Sequence, residues 1–173
     1  RAVYKLEEIN QKFKIFHNGV SVLDLGAAPG SWTQYISKNY KNIKLASIDL
    51  KKFEEVENTF QITGDFTEDI YKQKILNFFQ GKIDIIISDM AVNTTGNKNL
   101  DSIQTSELCL DAMRFSKEVL KKNGIFMSKI FVGSTFNEII DESKKIFKKN
   151  KVFKPRASRK ESKESFIVCS VLR

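Results

Sequence analysis

Three aspartates close short apolar runs in this chain. Asp49 follows Lys44 to Ile48, Asp65 follows Gly64 after a further short apolar segment, and Asp89 follows Asp84-Ile85-Ile86-Ile87-Ser88. Carboxylates at the carboxyl ends of neighbouring parallel strands converge on the crevice where open α/β sheets bind ligands. Singly, each reads as a turn former or a helix cap. Beside the block Leu23-Asp24-Leu25-Gly26-Ala27-Ala28-Pro29-Gly30-Ser31-Trp32 they read as a site. The small residues of that turn, Gly26 and Gly30 among them, let a ligand approach the backbone, and the helix that follows offers free N–H groups. The spacing departs from G-x-G-x-x-G, which disfavours a pyrophosphate cradle. Asp49 falls where Rossmann-like proteins hold a ribose diol. A small-residue loop, a ribose-binding acid and carboxylates that can face a cation suit S-adenosylmethionine, with its positive sulfonium, better than a dinucleotide.

Lys129 is the other residue set apart for chemistry. In a chain rich in lysine most are solvated, but this one interrupts Ile125-Phe126-Met127-Ser128-Lys129-Ile130-Phe131. A charge inside an apolar strand is costly unless it is paired or functional. The single histidine, His17, lies in the polar loop Phe16-His17-Asn18-Gly19 and reads as structural, which argues against histidine-base chemistry. Cys109 and Cys169 lie in apolar segments without metal-type spacing, so neither a metal site nor a disulfide scaffold is expected, and an intracellular, reducing setting fits best. Cytoplasm, nucleolus and an organelle such as the mitochondrion stay open. No apolar run approaches the length that crosses a bilayer, and no membrane partner is expected.

The elements that must position these residues alternate. Val20–Leu25, Lys44–Ile48, Ile83–Ser88, Ile125–Phe131 and Phe166–Leu172 have the length and composition of buried strands. Helices are predicted over Ser31–Asn39, Glu68–Phe79, Ser102–Lys122, ending at Asn123-Gly124, and Thr135–Lys149. The last has an apolar face of Phe136, Ile139, Ile140, Ile146 and Phe147. Thr135 and Glu138 stand at capping-box spacing, and acids early and lysines late complement the dipole. Such alternation implies one Rossmann-like α/β sandwich over residues 1–173, mostly parallel, with helices on both faces. Between Lys149 and Ser165 there is room for a short strand and a loop but no crossover helix, so Phe166–Leu172 is expected to run antiparallel.

The ordered motifs resemble the FtsJ-type ribosomal RNA 2'-O-methyltransferase family across nearly the whole chain. They are Arg1-Ala2-x-x-Lys5-Leu6, the Asp24 to Trp32 block, Gly64-Asp65-Phe66, Ser88-Asp89-Met90-Ala91-x-Asn93-x-x-Gly96, Ser128-Lys129-Ile130-Phe131, Lys154-Pro155, and Ser158-Arg159 before Glu164. The resemblance implies a seven-stranded methyltransferase sheet with an antiparallel last strand, S-adenosylmethionine as donor, and a catalytic set of Lys5, Asp89, Lys129 and Glu164. It implies cofactor contacts at Gly26, Gly30, Trp32, Asp49, Asp65 and Asp89. Trp32 taken alone reads as a packing residue, and Lys5 and Glu164 taken alone read as surface residues. Ser31 stands where many members have glycine, and Val92 where proline is common; neither change removes a functional group. Lys129 is the expected general base. Lysine normally titrates near ~10.4, so the expectation is that burial or the nearby cation Lys5 depresses it.

The chain carries 29 Lys+Arg against 21 Asp+Glu, a formal +8 with pI near 9.4, which favours a polyanionic partner. The excess is local: Lys144 to Lys163 holds ten basic residues and one acid, leaving 19 basic against 20 acidic elsewhere. Lys151, Lys154, Arg156, Arg159, Lys160 and Lys163 extend toward Glu164 and are candidate RNA phosphate contacts. The expected partner is ribosomal RNA or the large ribosomal subunit, with a uridine as target by family resemblance, and the expected state is monomeric. Transfer RNA and messenger RNA cap methylation keep the same chemistry. A nicotinamide oxidoreductase lacks its fingerprint here, and a non-catalytic RNA-binding protein would have lost the Lys-Asp-Lys-Glu set.

Overall fold

A computed structural model describes residues 1–92 and 95–173; Asn93 of the motif after Ser88 lies outside the described residues. Twelve elements follow in order: α1 (Ala2–Phe13), β1 (Ser21–Leu25), α2 (Ser31–Asn39), β2 (Lys44–Asp49), β3 (Thr59–Thr63), α3 (Asp69–Phe79), β4 (Ile83–Ser88), α4 (Lys98–Val119), β5 (Leu120–Phe131), α5 (Phe136–Ile146), β6 (Phe147–Phe153) and β7 (Glu164–Leu172). The strands form one seven-stranded sheet in the order β3-β2-β1-β4-β5-β7-β6. β1 pairs parallel with β2 and β4, β2 with β3, and β4 with β5. β7 is antiparallel to both β5 and β6, as the missing crossover helix requires.

Strand alternation divides the interior in two. Leu23, Leu25, Ile86, Phe126, Ile130, Ile167 and Cys169 pack with α3, α4 and α5. Val22, Ile85, Ile87, Met127, Phe166 and Val168 pack with Leu6 and Ile9 of α1 and Trp32 and Ile36 of α2. Successive side chains of a strand point to opposite faces, so Asp24, Lys129 and Glu164 share the α1–α2 face. Continuing the alternation past Ile87 puts Asp89 there too.

Three boundaries differ from the sequence expectation. α4 begins at Lys98 rather than Ser102, because the Asn97 side chain accepts a hydrogen bond from Leu100 N at 3.1 Å and caps the helix there. It ends at Val119, and Leu120 to Gly124 belong to β5 instead of a helix end. Leu120 pairs with Ile83 across a register irregularity. Gly124 lies so close to β4 that a Cβ there would stand 2.9 Å from the Asp84 carbonyl oxygen.

The expected helix Thr135–Lys149 is α5 only to Ile146; Phe147 is fully buried as the first residue of β6. Lys148, Lys149 and Lys151 therefore lie on the edge strand of the sheet, where charge discourages pairing with another chain, and not in the last turn of a helix. The capping box is also absent. Thr135 makes no side-chain cap; its Oγ1 meets Ser106 Oγ at 2.5 Å and ties α5 to α4.

Candidate active site

The turn after β1 is shaped by backbone contacts to β2. Gly26 N and Ala27 N both donate to Ile48 O, at 2.8 and 3.2 Å, and Ala28 N donates to Asp49 Oδ2 at 3.0 Å. Asp49 Oδ1 accepts from Lys51 N at 2.7 Å, so this one carboxylate ties the end of β2 to the turn. Gly26 has φ +67°, and a Cβ there would lie 2.0 Å from Met90 Cγ. Two requirements, left-handed backbone and close approach, therefore coincide at Gly26.

Gly26, Ala28, Asp49, Gly64, Asp65, Asp89 and Met90 line one cavity of about 560 Å³ at the carboxyl ends of the strands. Its size falls within the range of small-molecule sites. Asp65 is held by Thr67, whose N and Oγ1 donate to Oδ1 at 2.9 and 2.7 Å. Gly30 and Trp32 lie outside this lining. Gly30, at φ +108°, starts α2 with the Phe53 ring 2.9 Å from where a Cβ would be. Trp32 is buried: its Nε1 donates to Ala2 O at 2.8 Å and its ring tilts against Phe166. Trp32 thus joins α2 to α1, the packing role it has when read alone. A larger cleft of about 630 Å³ between α3, α4 and α5, where Lys72 pairs with Glu118 and Arg114 with Glu142, holds none of the candidate residues.

The four residues implied as catalytic come together although they lie on four different elements. Lys129 Nζ is 3.1 Å from Asp89 Oδ1 and 3.5 Å from Glu164 Oε2, and Lys5 Nζ donates to Glu164 Oε1 at 2.5 Å. Sheet register explains the central pair: Lys129 stands opposite Phe166 in β7, which makes Glu164 its diagonal neighbour on the same face, within reach of a long side chain. α1 supplies Lys5 because Leu6 and Ile9 on its inner face are fully buried.

Electrostatics correct one expectation. Burial pushes the Lys129 ammonium toward release of its proton, but Asp89 and Glu164 outweigh it and hold the group above its ordinary value. Lys5 contacts Glu164 instead of repelling Lys129, so the depressing cation is already neutralised. Burial also acts against the charged form of Glu164, and here Lys5 and Lys129 prevail, leaving it below its ordinary value. For Asp89 burial wins over Lys129, and its carboxyl is raised. Asp89 Oδ1 meets Lys129 as an ion pair without hydrogen-bond geometry and accepts no hydrogen bond among the described residues. A buried carboxylate oxygen that accepts no hydrogen bond, at the edge of an acid-lined cavity, fits a cationic ligand such as S-adenosylmethionine.

Three further residues matter that sequence reasoning did not select. Asp24 is 1% exposed and accepts from Thr33 Oγ1 at 2.7 Å; burial, with Asp89 and Asp49 nearby, raises its carboxyl to about 7. Its signal was a charge inside the apolar run Val20–Leu25. Arg1 lines a second cavity of about 280 Å³ with Lys5, Arg159, Ser162 and Glu164. Glu8 accepts hydrogen bonds from residues 148 and 149 positions away, for which no local signal exists. The candidate phosphate contacts Lys151, Lys154, Arg156, Arg159, Lys160 and Lys163 are all exposed, on β6 and the loop that follows it. Both cysteines are buried and unbridged, and burial raises the Cys109 thiol to about 11.

The FtsJ-like methyltransferase family model matches residues 1–172. The chain belongs to the FtsJ-like methyltransferase family. The sequence is 62% identical over 173 residues to the ribosomal RNA large subunit methyltransferase E of Pelagibacter ubique, covering all of this chain and 85% of that protein. A solved structure described as a ribosomal RNA methyltransferase from Plasmodium falciparum superposes with a TM-score of 0.87 at 32% identity, over 99% of this chain and 97% of that one. A methyltransferase from Streptococcus mutans, solved with SAH, shares the fold at 12% identity, with a TM-score of 0.62 over 96% and 97% of the two chains. The antiparallel β7 of this FtsJ-like sheet is the strand that delivers Glu164 to the Lys-Asp-Lys-Glu cluster.

Proposed function

We propose that this protein methylates a ribose 2'-hydroxyl of large-subunit ribosomal RNA from S-adenosylmethionine, with Lys129 taking the hydroxyl proton. The observation that carries the reading is the position of Asp89. Its carboxylate lines the 560 Å³ cavity and lies 3.1 Å from Lys129 Nζ, so a methyl donor and a proton acceptor would meet at one side chain.

A ribose hydroxyl is a weak nucleophile at neutral pH, whereas S-adenosylmethionine supplies a methyl group already activated by its sulfonium leaving group. The chain's work is then orientation and the removal of one proton. Asp49 and Asp65 would hold the polar ends of the cofactor, and Gly26 keeps the turn clear for it. Glu164, fixed by Lys5, and Asp89 orient the Lys129 amine. In the free protein Lys129 keeps its proton. When a second cation shares Asp89, Lys129 loses part of that hold, which favours the free amine where the hydroxyl must be deprotonated.

Ribosomal RNA as substrate is supported by the named relatives and by the exposed basic run Lys151 to Lys163 beside Glu164. Uridine is the nucleotide that family resemblance favours. The protein would act as a monomer in a reducing compartment, where its two buried thiols stay free. Incubation with methyl-labelled S-adenosylmethionine and large subunits from cells lacking the modification, followed by digestion to nucleosides, tests the reading. Labelled 2'-O-methyluridine is expected. Label in a base, or transfer only to transfer RNA, would overturn it.

A further inference from the structure

The β6–β7 loop, residues 154–163, carries five exposed basic residues, Lys154, Arg156, Arg159, Lys160 and Lys163, yet it is pinned. Pro155 is buried, Ser158 N donates to Pro155 O at 3.1 Å, Ser162 N donates to Arg159 O at 3.1 Å, and Lys154 donates to Ser162 O, closing the loop at its base. The outer part is fastened to α1. The Glu8 carboxylate accepts from Arg156 N through Oε2 at 2.6 Å and from Ala157 N through Oε1 at 2.8 Å. Both oxygens are spent on backbone N–H groups, a charge-assisted pair that fixes the path of the loop as well as its distance from the helix.

One turn earlier on α1 stands Lys5, bonded to Glu164. The space between the first turn of α1 and the fastened loop is the 280 Å³ cavity lined by Arg1, Lys5, Arg159, Ser162 and Glu164. Glu164 is the only acid in that lining, and Lys5 already neutralises it. Among the described residues, Arg1 and Arg159 have no carboxylate within salt-bridge distance. Ser162 Oγ accepts from Glu164 N at 3.1 Å, which leaves its O–H free to donate. Two unpaired guanidinium groups and a hydroxyl around one opening match a phosphodiester, for which arginine is the preferred partner.

We propose that Glu8 is a positioning residue: by fastening the basic loop to α1 it assembles, from two distant chain segments, a phosphodiester site formed by Arg1, Arg159 and Ser162 beside Glu164. The site holds a backbone phosphate of the RNA whose ribose is to be methylated, so the inference rests on the reading of an RNA substrate.

The sign of the effect separates this role from that of an ordinary surface acid. A bystander carboxylate beside RNA repels it, so its neutralisation tightens binding; a clamp weakens binding when neutralised. In methylation of purified large subunits, Glu8→Gln should raise KM about tenfold while kcat and calorimetric affinity for S-adenosylmethionine stay unchanged. Glu8→Asp, which keeps the charge but withdraws it by one methylene, should also raise KM. Arg159→Ala, at an exposed position, should raise KM and make the slope of log binding constant against log salt shallower by about 0.7–0.9, one phosphate contact. Combined with Glu8→Gln it should add little, because the two act on one site. A lowered or unchanged KM for Glu8→Gln, an unchanged salt slope for Arg159→Ala, or additive effects in the double variant would each overturn the proposal. Failure of the wild-type protein to methylate any RNA would instead remove the reading beneath it.

Discussion

Replacing Asp24 with asparagine should make the protein more stable at alkaline pH and remove most of one titration from its stability curve. Asp24 is 1% exposed, and the hydrogen bond from Thr33 only partly offsets the burial and the neighbouring Asp89 and Asp49 carboxylates that raise it from 3.8 to about 7. At about 1.4 kcal/mol per pH unit, that rise corresponds to roughly 4 kcal/mol. The folded state keeps a proton that the unfolded chain has already released above 3.8, so stability from this group is greatest in acid. It falls as pH rises toward about 7 and is flat beyond. Between pH 5 and 8.5 the loss integrates to roughly 3 kcal/mol, a large part of an ordinary domain's 5–15 kcal/mol.

Urea unfolding at the two pH values, for the wild-type protein and Asp24→Asn, isolates the effect, because every other titrating group is common to both. With a slope of about 2 kcal/mol per molar urea, the wild-type midpoint should fall by roughly 1.5 M more than that of the variant. The asparagine amide retains an acceptor for Thr33 and carries no charge at any of these pH values. Parallel loss of stability in the two proteins would refute the argument and show Asp24 to be an ordinary ionised carboxylate.

Lys129→Ala should abolish methyl transfer while S-adenosylmethionine still binds by calorimetry; wild-type transfer by a folded variant would remove Lys129 from the mechanism. Since the carboxylates hold the Lys129 proton above the ordinary lysine range, kcat/KM should climb with pH on its alkaline side. Glu164→Gln, which deletes one of those carboxylates, should move the climb to lower pH even as it reduces the maximum. Asp49→Ala should weaken cofactor binding at least tenfold, because a charged hydrogen-bonding group worth about 1.5–3 kcal/mol is lost; unchanged affinity would deny it a ligand role. Gly26→Ala, which puts a Cβ 2.0 Å from Met90 Cγ at φ +67°, should cost about 1–3 kcal/mol in thermal unfolding as well as cofactor affinity, and a neutral result would mean that the turn is adaptable.

What the sequence made legible follows from how each element is buried. β4 is covered on both faces, so Ile85 to Ile87 reads as an unbroken apolar run whichever way its side chains point. The α5–β6 boundary was hidden for the opposite reason. No glycine or proline separates Ile146 from Phe147, and Phe147 falls where the next apolar helical position would be, so the pattern continues while the backbone turns into a strand. Asn123-Gly124 carries a stop signal in composition, but the glycine serves close approach of β5 to β4. At the site, Lys129 stood out because a charge in a strand is anomalous in one dimension. Its partners, and hence the direction of its titration, required the register of β5 against β7 and the lie of α1, which depend on residues 35 and 159 positions apart in the pairs that matter.

The alternation of charge across the site explains why a lysine raised above its ordinary value is compatible with a lysine that acts as a base. Asp89, Lys129, Glu164 and Lys5 form a line of contacts, minus, plus, minus, plus, running from the acid-lined cavity to the cavity that Arg1 and Arg159 border. With no net charge the line can be buried, whereas deleting any one member strands a partner in poorly solvated surroundings. Its two ends face ligands of opposite sign: a cation would draw on Asp89, and a phosphate would draw on Lys5. A cation arriving at Asp89 loosens the hold on the Lys129 proton, whereas a phosphate that drew Lys5 off Glu164 would leave that carboxylate freer to tighten it. A base kept protonated in the empty protein is then gated by the cationic ligand, because proton removal awaits the charge that competes for Asp89.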